Sequence, residues 1–170
     1  MENLIMVAAI GKNYELGFEN RLIWKISEDL GFYKKLTLHQ NIIMGRKTFE
    51  SMPGKALEKR TPFILSSFPF DEIYDVNSFS DIKSLIKYIK MYKNETFIVV
   101  GGAQIYEELM PYADTMYITE IDDCANADTF FPYIDLHDWS VETIHNHEGN
   151  YSKTGDVSYV RNKYVRRRTR

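Results

Sequence analysis

Short, nearly continuous apolar runs alternate with amphipathic segments along this chain, and that alternation predicts an α/β fold built on one central, mostly parallel sheet. Three observations carry the expectation. Ile42-Ile43-Met44 and Phe97-Ile98-Val99-Val100 are apolar at every position, as strands covered on both faces are. The segments between such runs repeat at helical spacing. Beyond Ile121 the pattern changes to two alternating strands around a polar turn, which predicts an antiparallel hairpin at one edge of the sheet. About four helices should flank the whole, the usual cover for parallel strands.

Taken in order, Leu4–Ile10 reads as the first strand. The next fifteen residues, Gly11–Lys25, have no strong pattern. A loop of that length in a compact domain is usually a functional lid or disordered, and because it leads directly into Trp24 and Asp29 a lid is expected. Ser27 is a good N-cap for a helix running to Thr37. Strand Asn41–Gly45 leads into a helix over Arg46–Met52, and strand Pro62–Ser66 follows. Ser80–Met91 is helical, Thr96–Val100 a strand, Ala103–Met110 helical and Thr115–Ile121 a strand. Trp139–His147 and Asp156–Tyr164 form the closing hairpin, turning near Gly149-Asn150. No repeat or linker divides the chain, so one domain over 1–165 is expected, followed by a basic tail at 166–170.

Bulk properties narrow the class. Of 170 residues, 44% are hydrophobic and 26% charged, ordinary for a globular protein able to bury roughly 70% of its unfolded surface. A net charge of −3 gives no general reason to expect nucleic acid, and the arginines at 166–168 and 170 read as a solvated terminus. The single cysteine, Cys124, excludes an intramolecular disulfide and fits a reducing compartment. Leu4–Ile10 is too short to span a bilayer and follows Glu2 rather than a basic segment. A cytoplasmic protein with no membrane attachment is expected.

The helix from Ser27 places Ile26, Asp29, Leu30, Tyr33, Leu36 and Thr37 on one face, while Glu28, Lys34 and Lys35 fall in water. A carboxylate on an apolar face must be paired, hydrogen-bonded or protonated, and a desolvated one is a potential proton donor near neutral pH. A first-turn aspartate that merely complements the helix dipole is the plainer alternative.

Three strand ends suit phosphate. Gly45-Arg46-Lys47-Thr48 puts two cations at a helix start, where they oppose the macrodipole unless an anion binds there. Ser66-Ser67 ends a buried strand, and Gly101-Gly102-Ala103-Gln104-Ile105-Tyr106 opens a helix with paired glycines. Neither the G-x-G-x-x-G fingerprint nor a P-loop is present. Together the three ends argue for a dinucleotide carrying an extra phosphate.

Ordered blocks then make a specific match: Val7-Ala8-Ala9, Leu16-Gly17-Phe18-Glu19-Asn20, Trp24, Asp29-Leu30, Ile43-Met44-Gly45-Arg46-Lys47-Thr48-Phe49-Glu50-Ser51, Leu65-Ser66-Ser67, Val100-Gly101-Gly102, Tyr117-Ile118-Thr119 and Asp128-Thr129-Phe130-Phe131-Pro132. Over nearly its whole length the chain resembles the dihydrofolate reductases of the bacterial chromosomal type. The resemblance implies reduction of 7,8-dihydrofolate to tetrahydrofolate, with hydride passing from NADPH to pterin C6 and a proton reaching N5. It implies that Asp29 binds the pterin edge and promotes protonation, that Trp24 helps hold a water, and that Thr119 hydrogen-bonds the carboxylate. Val7, Ala8, Ala9, Leu30, Tyr33, Met52, Leu57, Val100 and Tyr106 are implied folate contacts, with Arg60 for the glutamate α-carboxylate. The implied NADPH contacts are Ala9, Leu16, Asn20, Leu22, Gly45, Arg46, Lys47, Thr48, Leu65, Ser66, Ser67, Gly101, Gly102, Ala103, Gln104, Ile105 and Tyr106. Residues 40–90 roughly make the adenosine-binding lobe, and a cis peptide joins two glycines of the Gly101 segment. Antifolates such as trimethoprim are implied ligands, and a monomer without metal is expected. The sequence departs from the family at Ile23, Ser27, Tyr33 and Ala103, where proline, proline, phenylalanine and glycine are usual.

Other readings are open on residues alone. A riboflavin-pathway or pteridine reductase of the same fold would share the NADPH face, and a non-catalytic nucleotide-binding module would need neither Asp29 nor Thr119. His145 and His147 could share a strand face, but no third metal ligand has convincing spacing. Nucleophilic hydrolysis lacks a G-x-S-x-G motif.

Overall fold

The computed structural model describes residues 3–68, 76–150, 152–153 and 155–167. Its strands are β1 (Leu4–Ile10), β2 (Glu15–Phe18), β3 (Arg21–Leu22), β4 (Asn41–Gly45), β5 (Thr61–Leu65), β6 (Asn77–Phe79), β7 (Phe97–Gly101), β8 (Thr115–Ile121), β9 (Thr129–Phe130), β10 (Trp139–His147) and β11 (Tyr159–Arg166). Four α-helices accompany them: α1 (Ser27–Thr37), α2 (Arg46–Ser51), α3 (Ile82–Met91) and α4 (Ala103–Leu109). Eight strands form one sheet in the order β10-β11-β8-β1-β7-β4-β5-β6. All neighbours from β8 to β6 are parallel, and β11 and β10 add antiparallel at one edge.

Alternation along each strand sorts the side chains onto two faces. Leu4, Met6, Ala8 and Ile10 of β1 join Ile43, Phe63, Phe97, Val99, Met116 and Ile118 in the larger core, which α3 covers with Leu85, Ile86 and Ile89 and α4 with Ile105 and Leu109. The odd-numbered positions of β1 and β8 face the other way. On that side Ile42, Met44, Phe49 and Ile64 make a smaller cluster against which Met52, Leu57 and Val100 pack. Helix α1 lies there too, with Phe32 edge-on to Tyr117 at 5.6 Å. Each fully buried side chain of the Ile42–Met44 run contributes about 1.5–3 kcal/mol over leaving it in water.

Three expectations change. Ser27 does not cap α1: the cap position is Ile26, without a side-chain bond, and Ser27 is the first residue of the helix. Gly11–Lys25 is not patternless, because β2 and β3 form a hairpin and β2 also pairs with β9. Its turn uses Glu19 and Asn20 at φ 48° and 59°, the two left-handed positions of a tight hairpin turn. The basic end does not fray at once: Arg166 closes β11 with Nε 2.7 Å from the Ala113 carbonyl and its guanidinium over the Trp139 ring, and Arg167 Nε donates to the Trp139 carbonyl. Residues 168–170 lie outside the described residues.

Candidate active site

Asp29 sits in the first turn of α1 with its side chain 19% exposed, facing β8. Two donors converge on its Oδ1. The Thr119 hydroxyl donates at 2.5 Å, and Arg161 Nη2 at 2.9 Å. Among the described residues no donor reaches Oδ2, which leaves that oxygen for a ligand. Sheet register explains the convergence. Thr119 lies across from Ala9 on one side and from Arg161 on the other, so three neighbouring strands deliver one level of side chains beneath α1.

Arg161 is the buried partner of Asp29 that sequence reading missed. Its side chain is 5% exposed, its Nε donates to Thr119 Oγ1 at 3.2 Å, and its guanidinium carbon stands 4.1 Å from the centre of the Phe32 ring. In a hairpin strand a lone arginine reads as solvated, and only the pairing of β11 with β8 reveals that it points at Asp29. Glu28 was expected in water alone, yet it accepts the Tyr159 hydroxyl at 2.5 Å and lies 2.8 Å from His145 Nε2, at ion-pair distance without a linear hydrogen bond. The Tyr159 bond holds the Glu28 carboxyl below its usual range despite desolvation. His147 pairs instead with Asp156 at 2.8 Å, and among the described residues no acidic or histidine cluster could hold a metal.

The implied folate contacts line the same side of the sheet. Val7 and Ala9 share the face of Thr119, Met52, Leu57 and Val100 pack on the small cluster of that side, and Leu30 and Tyr33 are carried by α1. Leu30 is 43% exposed, so the apolar face predicted for α1 is not fully buried there. Ala8 points into the larger core, so it offers the cleft only backbone. Tyr106 is buried beneath the floor and donates its hydroxyl to the Val7 carbonyl at 2.7 Å; burial pushes its phenol well above the usual range. Among the described residues the Tyr33 hydroxyl is buried with no partner at full hydrogen-bond geometry; the nearby Thr37 hydroxyl, engaged with the Tyr33 carbonyl and Arg60, interacts with it only weakly. Desolvation raises the Tyr33 phenol, against the opposing charge of Arg60. Arg60 Nε donates to Thr37 Oγ1 at 2.8 Å and Nη1 to the Glu58 carbonyl at 3.0 Å.

The three strand ends expected to suit phosphate are neighbours. Gly45 is in register with Leu65, and Met44 with Gly101, so β5, β4 and β7 finish side by side. Arg46, Lys47 and Ser67 are exposed there, with Thr48 and Ser66 half-buried. Arg46 Nε also meets Glu50 at 2.7 Å, which offsets its unfavourable place at a helix start. The Gly101-Gly102 peptide is cis, and Gly101 holds φ +125°, a conformation for glycine. A Cβ on Gly102 would stand 3.2 Å from Thr48 Oγ1, so two of the ends touch through the missing side chain. Cations, hydroxyls and close backbone at adjacent strand ends fit a phosphorylated dinucleotide.

In the lid, Leu22 is exposed, Asn20 occupies the hairpin turn and Leu16 packs against the larger core. Trp24 Nε1 donates to Asp123 at 3.0 Å. Glu15 is buried and accepts the Asn13 N–H at 2.8 Å and the Ala125 N–H at 3.4 Å. Desolvation opposes its ionisation, but the backbone donors prevail and hold its carboxyl below the usual range. A separate cavity of about 520 Å³, lined by Gly11, Lys12, Tyr14, Glu120 and Tyr164 among others, contains none of the implied site residues. No described helix is long and apolar enough to cross a membrane.

Comparison with known proteins agrees with this geometry. The family model for dihydrofolate reductase matches residues 3–166. Dihydrofolate reductase of Buchnera aphidicola subsp. Acyrthosiphon pisum is 36% identical over 79% of this chain and 82% of its own. That of Bacillus subtilis is 36% identical over 79% of both chains. The solved structure of dihydrofolate reductase from Enterococcus faecalis, complexed with NADP(H) and RAB-propyl, superposes with a TM-score of 0.81 at 29% identity, covering 98% of this chain and 97% of that one. A paired aspartate on α1, a glycine-lined cofactor edge and a family match spanning residues 3–166 lead to one conclusion: the chain belongs to the dihydrofolate reductase family and is an NADPH-dependent oxidoreductase of that kind.

Proposed function

We propose that the cleft between α1 and the sheet takes the pterin of 7,8-dihydrofolate with its edge on Asp29, and that the chain reduces it to 5,6,7,8-tetrahydrofolate. The observation that carries this reading is the Asp29 carboxylate, whose Oδ1 is engaged by Thr119 and Arg161 while Oδ2 stays available to ring N–H donors. A fixed acceptor of this kind orients a flat heterocycle before any bond changes. Asp29 then promotes delivery of a proton to N5, through water, as C6 gains hydride. NADPH, held by Arg46, Lys47, Thr48, Leu65, Ser66, Ser67 and the segment Gly101 to Tyr106, would supply that hydride equivalent. Lid residues Leu16, Asn20 and Leu22, with Ala9 beneath, would exclude water from the nicotinamide, and Trp24, whose one N–H is given to Asp123, would help place the proton-carrying water only by exchanging that partner for it. Arg60, aimed by Thr37, would receive the glutamate α-carboxylate as a bidentate partner. The unit 1–165, with its adenosine lobe at roughly 40–90, would act as a cytoplasmic monomer on small molecules, antifolates included.

The test follows NADPH oxidation on adding 7,8-dihydrofolate. The wild type should turn over, and Asp29→Asn should lose about 10²–10⁴-fold in kcat near neutral pH. A wild type that binds NADPH but leaves dihydrofolate untouched would end the substrate assignment and favour another pterin.

A further inference from the structure

Asp29 already has a cation. Arg161 reaches its Oδ1 at 2.9 Å from a strand 132 residues further along the chain, with its side chain 5% exposed. Three contacts fix that guanidinium: Asp29, the Thr119 hydroxyl and the face of Phe32. An arginine remains charged when buried, so the pair is a permanent feature of the pocket floor. Its net charge is zero.

That neutrality bears on what the pocket prefers. A ligand that presents a neutral N–H edge needs only an acceptor, and Oδ2 supplies one. A ligand that presents a cationic amidine-like edge profits most from an unbalanced carboxylate. Here the carboxylate is balanced, and the guanidinium behind it repels the incoming charge across a poorly solvated gap. We propose that Arg161 is the resident counter-ion of Asp29, a positioning residue that fixes the carboxylate and makes this pocket discriminate against cationic heterocycles in favour of neutral ones. The proposal rests on the reading of Asp29 as the ring-binding group.

Two probes separate the cases: a 2,4-diaminopyrimidine, which protonates on its ring, and its 2-amino-4-oxo counterpart, which binds neutral. Their inhibition constants are measured on the NADPH complex of the wild type, Arg161→Met, Arg161→Lys and Asp29→Asn. Arg161→Met keeps most of the apolar stem on Phe32 and removes the charge, whereas Arg161→Lys keeps the charge. Glu28, Tyr159 and His145 beside the site are common to all variants, so their effect on the cationic probe drops out when the ratio of the two constants is compared between variants. Arg161→Met should shift that ratio about tenfold toward the cationic probe, with Arg161→Lys staying near the wild type. A folded Arg161→Met, judged by NADPH affinity, whose ratio moves less than about threefold overturns the proposal. If Arg161→Met does not fold, the wild type decides by calorimetry in two buffers of different ionisation enthalpy, above the solution pKa of the diaminopyrimidine. Uptake of under about half a proton on binding supports the resident counter-ion, and uptake near one proton refutes it. If Asp29→Asn leaves both constants unchanged, the ring-binding reading itself fails and takes this one with it. If Asp29→Asn weakens both but the Arg161→Met ratio stays put, only the role of Arg161 is lost.

Discussion

The Thr37 hydroxyl accepts from Arg60 Nε at 2.8 Å and donates to the Tyr33 carbonyl at the same distance, so the last turn of α1 aims the guanidinium. Arg60→Ala should therefore raise the KM for dihydrofolate by about 10²-fold and leave the KM for NADPH within about twofold, the signature of a lost charge-assisted pair. Steady-state kinetics with each substrate varied in turn checks this. Comparable changes in both constants would refute the assignment.

Thr37→Val should give a weaker copy of that result. The guanidinium keeps its charge and its bond to the Glu58 carbonyl but loses the hydroxyl that orients it. The dihydrofolate KM should rise about three- to tenfold, in line with one neutral hydrogen bond. An unchanged KM would show that Arg60 is positioned by other means.

Tyr33→Phe removes a buried hydroxyl that, among the described residues, meets no partner at full hydrogen-bond geometry. Leaving such a group unpaired costs about 1–3 kcal/mol, so the substitution should raise the melting temperature of the free protein by a few degrees. A fall would mean that an ordered water or a local shift satisfies the hydroxyl.

Glu15 links the lid hairpin to the segment after β8, and its stability contribution has a definite sign. Its folded carboxyl titrates below the ordinary value near 4.5, so its stabilisation is fully present above that value. It is lost as pH falls through the lower folded value. Glu15→Gln should cost about 1–2 kcal/mol at neutral pH, and the difference from the wild type should shrink as pH falls below the ordinary value of 4.5 and through the lower folded one. Denaturant melts at several pH values read both. A difference independent of pH would assign the effect to packing rather than charge.

Gly101→Ala puts a Cβ where space is adequate, with the Tyr106 ring no nearer than 3.5 Å, but at φ +125°. The backbone conformation alone should cost about 1–3 kcal/mol. NADPH affinity, read by fluorescence, should fall with it. Retained affinity would separate the glycine from cofactor binding.

Strands β1, β4, β8 and β10 run over the spans their patterns predict, the Thr119 hydroxyl meets Asp29, and the three strand ends of β5, β4 and β7 finish side by side. These were legible because continuous apolar runs and paired glycines are local signals. What escaped was non-local or short. Strand β3 has two residues and β9 two, and the turn at Glu19-Asn20 reaches left-handed geometry without glycine. Ser27 has the chemistry of a cap, but the chain enters α1 one residue earlier, and the expected sequence rule had no means to see it. Arg161 needed the β8–β11 register, which no spacing along the chain encodes.

That register also sets an order of events during synthesis. Residues 29 and 161 are 132 positions apart, so a chain emerging from the ribosome carries α1, β1 and β8 long before the guanidinium that neutralises Asp29. Until then the edge of β8 has no β11 to bond with, and the carboxylate beside it resists burial. The pocket floor is thus among the last parts of the molecule to become electrically complete, since the guanidinium beneath Asp29 is delivered by the strand furthest along the chain.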